Sequence, residues 1–98
     1  MSDRERLPNR RVSELVDFEH HGCKWTATFG RFADGRIAEV FLDAPKESPL
    51  VELAQDGALA ASLALQSGCP LNTLRHALAG RHARPLGVAL GLIEETRT

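Results

Sequence analysis

Ninety-eight residues, 43% of them hydrophobic, suit one small domain with a single core and are too few for a large catalytic barrel. A net charge of −1 gives no overall attraction to nucleic acid or an anionic membrane, and two cysteines, Cys23 and Cys69, make no disulfide framework. No run approaches the roughly 18 apolar residues of a membrane helix, and the charged start MSDRERLPNRR lacks the apolar stretch of a secretory signal, so the expectation is a soluble cytoplasmic protein. With one Trp, four Phe and no Tyr, the core should be aliphatic and rich in Ala.

Residues 1–11 read as a flexible polar lead-in, followed by a single domain over 12–95. From Val16 to Phe32 the pattern has period two: Val16 and Phe18 alternate with Asp17 and Glu19, then Cys23, Trp25, Ala27 and Phe29 alternate with Lys24, Thr26 and Thr28. His21-Gly22 between the two runs is a tight turn, with Gly22 supplying a positive φ. A second turn, Ala33-Asp34-Gly35-Arg36, leads into Ile37–Leu42, giving three antiparallel strands in a meander. Ser48 as N-cap and Pro49 at the first helical position open a helix that should run to Ser67 and stop at Gly68. Pro70 opens a second helix from Leu71 to Ala79, ended by Gly80, and Pro85 starts a third through about Glu95. The order β-β-β-α-α-α predicts an α+β fold, a three-stranded antiparallel meander packed against a layer of two to three helices.

The first helix is apolar on nearly every side, and between Gly57 and Leu65 its only polar side chain is Ser62. Such a helix should be covered on more than one face. Leu50, Leu53, Gly57, Ala61, Ala64 and Leu65 lie on one side as a candidate interface, with Val51, Ala54, Ala58 and Leu59 near it. One side covers the sheet; the rest meets either the later helices or a second copy, which makes a homodimer the expected oligomer.

Arg36-Ile37-Ala38-Glu39-Val40-Phe41-Leu42, a long helix, Ser67-Gly68-Cys69-Pro70-Leu71, and then Leu74, Leu78 and Gly80-Arg81 together resemble the TSCPD domain, with Gly22-Cys23 resembling the Gly-Cys of its first well-marked strand. The resemblance covers roughly residues 15–92. That family's domain occurs at the carboxyl terminus of adenosylcobalamin-dependent ribonucleotide reductases and as small stand-alone proteins. Where the family carries Thr-Ser-Cys-Pro-Asp, this chain reads His82-Ala83-Arg84-Pro85-Leu86, so only the Pro matches and any role of that Cys is absent. The resemblance implies the fold and an association with nucleotide reduction; it carries over no catalytic residue.

Charge is segregated along the chain: residues 57–93 hold no Asp or Glu but contain Arg75, Arg81 and Arg84, with His76 and His82 interleaved, whereas residues 1–56 hold eleven acids and eight bases. Gly80–Pro85 lies between one helix end and the next helix start, where free N–H groups and a positive dipole end favour an anion. Arg75, His76, Arg81, His82 and Arg84 are therefore the candidate nucleotide or phosphate site, against the plainer reading that bases near a helix end satisfy its carbonyls. His20, His21, Cys23, Cys69, His76 and His82 lack the paired spacing of a zinc site, so no metal is expected. No Gly-x-Ser-x-Gly elbow or Gly-rich phosphate loop occurs, Ser48, Ser62 and Ser67 fall in capping or core contexts, and Cys23 on the apolar face with Trp25 and Phe29 reads as a core thiol. Glu94-Glu95 reads as a solvated tail. The expected function is a non-catalytic accessory or interaction domain, without a cofactor. A small nucleotide-binding regulatory module is the alternative, and DNA binding, with too few bases for a phosphate footprint, comes third.

Overall fold

The computed structural model describes residues 13–79 and 84–93. Three strands, β1 (Glu14–His20), β2 (Cys23–Arg31) and β3 (Ile37–Asp43), precede three helices, α1 (Pro49–Gln66), α2 (Leu71–Leu78) and α3 (Pro85–Leu92). The sheet is antiparallel in the order β1-β2-β3, so the fold is the expected α+β meander with its helical layer. His20 pairs with Cys23 across a two-residue turn, and His21 (φ 51°) and Gly22 (φ 77°) both take the positive φ that suits the right-handed twist of a hairpin. The second turn closes through bonds from Phe32 N–H to the Arg36 carbonyl (2.8 Å) and from Gly35 N–H to the Phe32 carbonyl (3.0 Å).

Side-chain alternation sends Trp25, Ala27 and Phe29 of β2 and Val40 and Leu42 of β3 into one core with Val51, Ala58, Ala61 and Leu65 of α1, Leu71 of α2, and Ala89 and Leu90 of α3. Phe18 stacks on Trp25 across the strands at 6.5 Å between ring centroids. On the other sheet face, Gly30 leaves room for the buried Glu39 opposite it, since a Cβ there would stand 2.5 Å from Glu39 Oε2. Cys23 departs from expectation: it is exposed, because it lies at the end of β2 in the hairpin's closing pair rather than under the helices.

Ser48 caps α1 by accepting from the Val51 N–H (3.2 Å), and the chain leaves the helix through Ser67 and a Gly68 at φ 100°. α1 packs chiefly along β3, and its two buried polar side chains seal that strand's outer edge. Ser62 Oγ accepts from the Val40 N–H (2.9 Å) and lies within donating distance of the carbonyls of Val40 (3.0 Å) and Ala58 (2.9 Å). Gln66 Nε2 donates to the Ala38 carbonyl (3.1 Å). The match is metric: four helical residues rise about 6 Å, close to the roughly 6.8 Å between alternate strand residues. Groups that would otherwise be a pairing template are thereby bonded within the chain.

Among the described residues, α1 is covered by the sheet and along one flank by α3. Its far side leaves Leu50, Leu53, Leu59 and Leu63 exposed, at 42% or more, because α3 meets α1 only along the flank where Leu86 approaches Gly57. α2 runs Leu71–Leu78 with Ala79 as its C-cap, one residue short of expectation, and Gly80 lies outside the described residues. α3 stops at Leu92, with Ile93 extended (ψ 142°) and buried, so the expected continuation toward Glu95 is not made at Ile93. Gly87 lets the α2 end approach: a Cβ there would lie 2.6 Å from the Leu78 carbonyl oxygen.

Candidate functional site

Of the five basic residues of the expected anion site, Arg75, His76 and Arg84 are described. Arg75 is committed to packing: its Nε donates to the Leu90 carbonyl (2.7 Å), tying α2 to the last turn of α3. Leu90 is six residues from Arg84, the N-cap of α3, which puts about 9 Å of helix between them. The carbonyl that Arg75 satisfies belongs to the neighbouring helix. His76 and Arg84 are exposed; Arg81 and His82 lie outside the described residues.

The interface residues divide. Ala61 and Leu65 belong to the core, Gly57 and Ala64 are half-buried, and Leu50 and Leu53 are exposed. At 100° per residue, the face opposite the core carries Leu59, Glu52 and Leu63 along one margin and Leu50 and Leu53 along the other, with Asp56 and Ala60 between them. The sequence pattern places Leu59 only near the candidate interface and leaves Leu63 out of it, because an all-apolar helix gives no periodic signal for which side meets the sheet. The signal that could have found them is Ser62: a lone hydroxyl on such a helix marks the strand-facing side.

Concave places among the described residues lie elsewhere. A cleft of about 170 Å³ is lined by Arg36 and Ile37 after the β2–β3 turn and by Gly68, Cys69, Pro70 and Leu71 at the α1–α2 break, bringing together two pieces of the sequence signature. Arg36 is already held there, by Asp34 Oδ2 (2.6 Å) and over the Phe32 ring at 4.6 Å. Bonds from the Arg36 backbone and guanidinium hold the Asp34 carboxyl below its usual range. The second is a groove of about 440 Å³ at the hairpin end of the sheet, lined by Asp17, Phe18, Glu19, Lys24, Trp25, Thr26 and Pro45. No group of three or more His, Cys, Asp or Glu side chains that could hold a metal ion occurs among the described residues. None of the described helices is long and apolar enough to cross a membrane.

Comparison with known proteins places this small α+β domain beside one region of a large enzyme. The chain is 37% identical over 90 residues, 91% of its length, to the vitamin B12-dependent ribonucleotide reductase of Agrobacterium fabrum. It is 34% identical over 92 residues, 93% of its length, to the enzyme of the same name from Bradyrhizobium diazoefficiens. In both cases the chain spans only 7% of the length of the relative. No family model and no solved structure matches the chain.

Proposed function

We propose that this chain is a non-catalytic accessory domain of the TSCPD type that works through protein contacts in vitamin B12-dependent ribonucleotide reduction. The observation that carries the reading is the pairing of coverages: 91% of this chain aligns with 7% of a reductase, so a whole folded domain corresponds to a small piece of the enzyme. The described polar groups inside the helical layer serve the fold, Ser62 and Gln66 at the strand edge and Arg75 between helices. The exposed side of α1 carries the large apolar side chains Leu50, Leu53, Leu59 and Leu63. A homodimer through that face is part of the reading.

Calorimetric titration against the Agrobacterium reductase lacking its similar segment tests it, with saturable binding expected at micromolar concentrations. No binding at about 100 µM would remove the association with that enzyme. Light scattering tests the dimer, and a mass of 10.7 kDa at every concentration rules it out. The nucleotide-module alternative draws on the exposed Arg84 at the start of α3, where no side chain caps the helix. It requires nucleotides to raise the melting temperature, by about 2.7 kcal/mol of added stability at 100 times the dissociation constant, and it requires Arg84→Gln to abolish that rise.

A further inference from the structure

The two edges of the sheet are treated differently. β3's outer edge is sealed by Ser62 and Gln66, while β1, the other edge, pairs with no strand on its outer side among the described residues. Ladder alternation fixes which β1 groups face outward. Val40 turns its N–H and C=O away from β2, toward Ser62. Phe29, opposite Val40, therefore turns toward β1 and bonds with Glu14, opposite it there. It follows that Glu14, Val16, Phe18 and His20 bond inward, and Leu15, Asp17 and Glu19 present their N–H and C=O groups outward.

The side chains of those three residues lie on the sheet face away from the helices, and all are exposed. Glu19 stands across from Lys24, but the next cross-strand row is Asp17, Thr26 and Asp43, two carboxylates with no base. Asp17 accepts from the Thr26 hydroxyl (2.7 Å). Another copy of the same edge is a poor occupant. Antiparallel self-pairing centred on Asp17 sets Asp17 against Asp17, and one of the two adjacent registers sets Asp17 against Glu19, while the other sets both carboxylates against neutral residues, Leu15 and Ser13; like charges directly opposite are destabilising.

We propose that the outer edge of β1 accepts an extended segment of a partner protein as a fourth strand, alternating basic residues beside Asp17 and Glu19 with apolar residues toward Val16 and Phe18. This rests on the interaction reading above and names the chemistry of the partner. Backbone bonds to Leu15, Asp17 and Glu19 supply affinity, and the carboxylates select basic over acidic strands.

The test uses the ¹⁵N-labelled full chain and a blocked peptide of about eight residues alternating Lys and Val, with a Glu–Val peptide as control. In the free chain, the amides of Leu15, Asp17 and Glu19 exchange quickly while those of Val16 and Phe18 exchange slowly. The Lys–Val peptide at about 1 mM slows exchange at the three outward amides about tenfold and the Glu–Val peptide does not. Asp17→Pro removes an outward N–H without touching the ladder and abolishes the effect. Should that variant not fold, Asp17→Arg reverses the preference toward the Glu–Val peptide. Slow exchange at the three amides in the free chain, or peptide-induced shifts confined to α1, would overturn the inference. Reductase binding with no peptide at the edge leaves the interaction reading standing without this site; peptide at the edge with no reductase binding does the reverse.

Discussion

Ser62 and the strand edge it meets form the most exacting contact in the domain. Ser62→Ala leaves the buried Val40 N–H without its acceptor, which costs about 1–3 kcal/mol. Thermal melting should register this as a fall of at least about 4 °C; an unchanged midpoint contradicts the assignment. At the far edge, Glu14 and Arg31 form an ion pair, and Arg31 also donates to the Gly35 carbonyl (2.7 Å). The hydrogen bond from Arg31, aided by its charge and opposed by desolvation, holds the Glu14 carboxyl below its ordinary range. A carboxyl lowered on folding stabilises the fold above the unfolded pKa of about 4.3 and loses that contribution as pH falls through the folded value. Glu14→Gln should therefore melt below the native chain at neutral pH, with a gap under about 1 kcal/mol because the pair is partly exposed. That gap closes in acid, and a gap that widens there refutes the linkage. Ser62 was legible as a core residue, but its bonding to strand backbone was not, since a hydroxyl's partner depends on which strand the helix lies along.

At the scale of elements, the turn and cap residues were the most legible features, because His21-Gly22, Asp34-Gly35, Ser48-Pro49 and Gly68 each meet a local backbone requirement. What the pattern did not convey is the orientation of α1 and the length of α3. Leucines on both sides of α1 satisfy several rotations equally, and α3 ends where Ile93 is drawn extended into the core, a tertiary effect. The two glycines of α3 separate local from tertiary causes. Gly87→Ala drives a methyl into the Leu78 carbonyl and should cost about 1–3 kcal/mol. Gly91→Ala meets nothing within 4 Å and should stabilise by about 0.5–1 kcal/mol through helix propensity. Denaturant titration of the two variants reads the opposite signs directly. Leu59→Gln with Leu63→Gln should leave stability within about 0.5 kcal/mol of the native chain while lowering the mass seen by light scattering, if α1 is the dimer face; a stability loss instead places those leucines in the core.

At the scale of the molecule, the described residues form a sheet with β3's outer edge bonded to α1, β1's outer edge paired with no described strand, and leucines along the exposed side of α1. The sequence signature at Arg36-Ile37 and Gly68-Cys69-Pro70-Leu71 becomes one packed junction, with Arg36 already held by Asp34 and Phe32. The candidate basic site was the least legible part, because linear charge segregation does not say that Arg75 turns to the Leu90 carbonyl while Arg84 stands at the opposite end of α3. The most direct measurement is calorimetric titration of this chain into the vitamin B12-dependent reductase lacking its similar segment. A saturable one-to-one isotherm is the predicted result, and no heat of binding at about 100 µM would contradict the account.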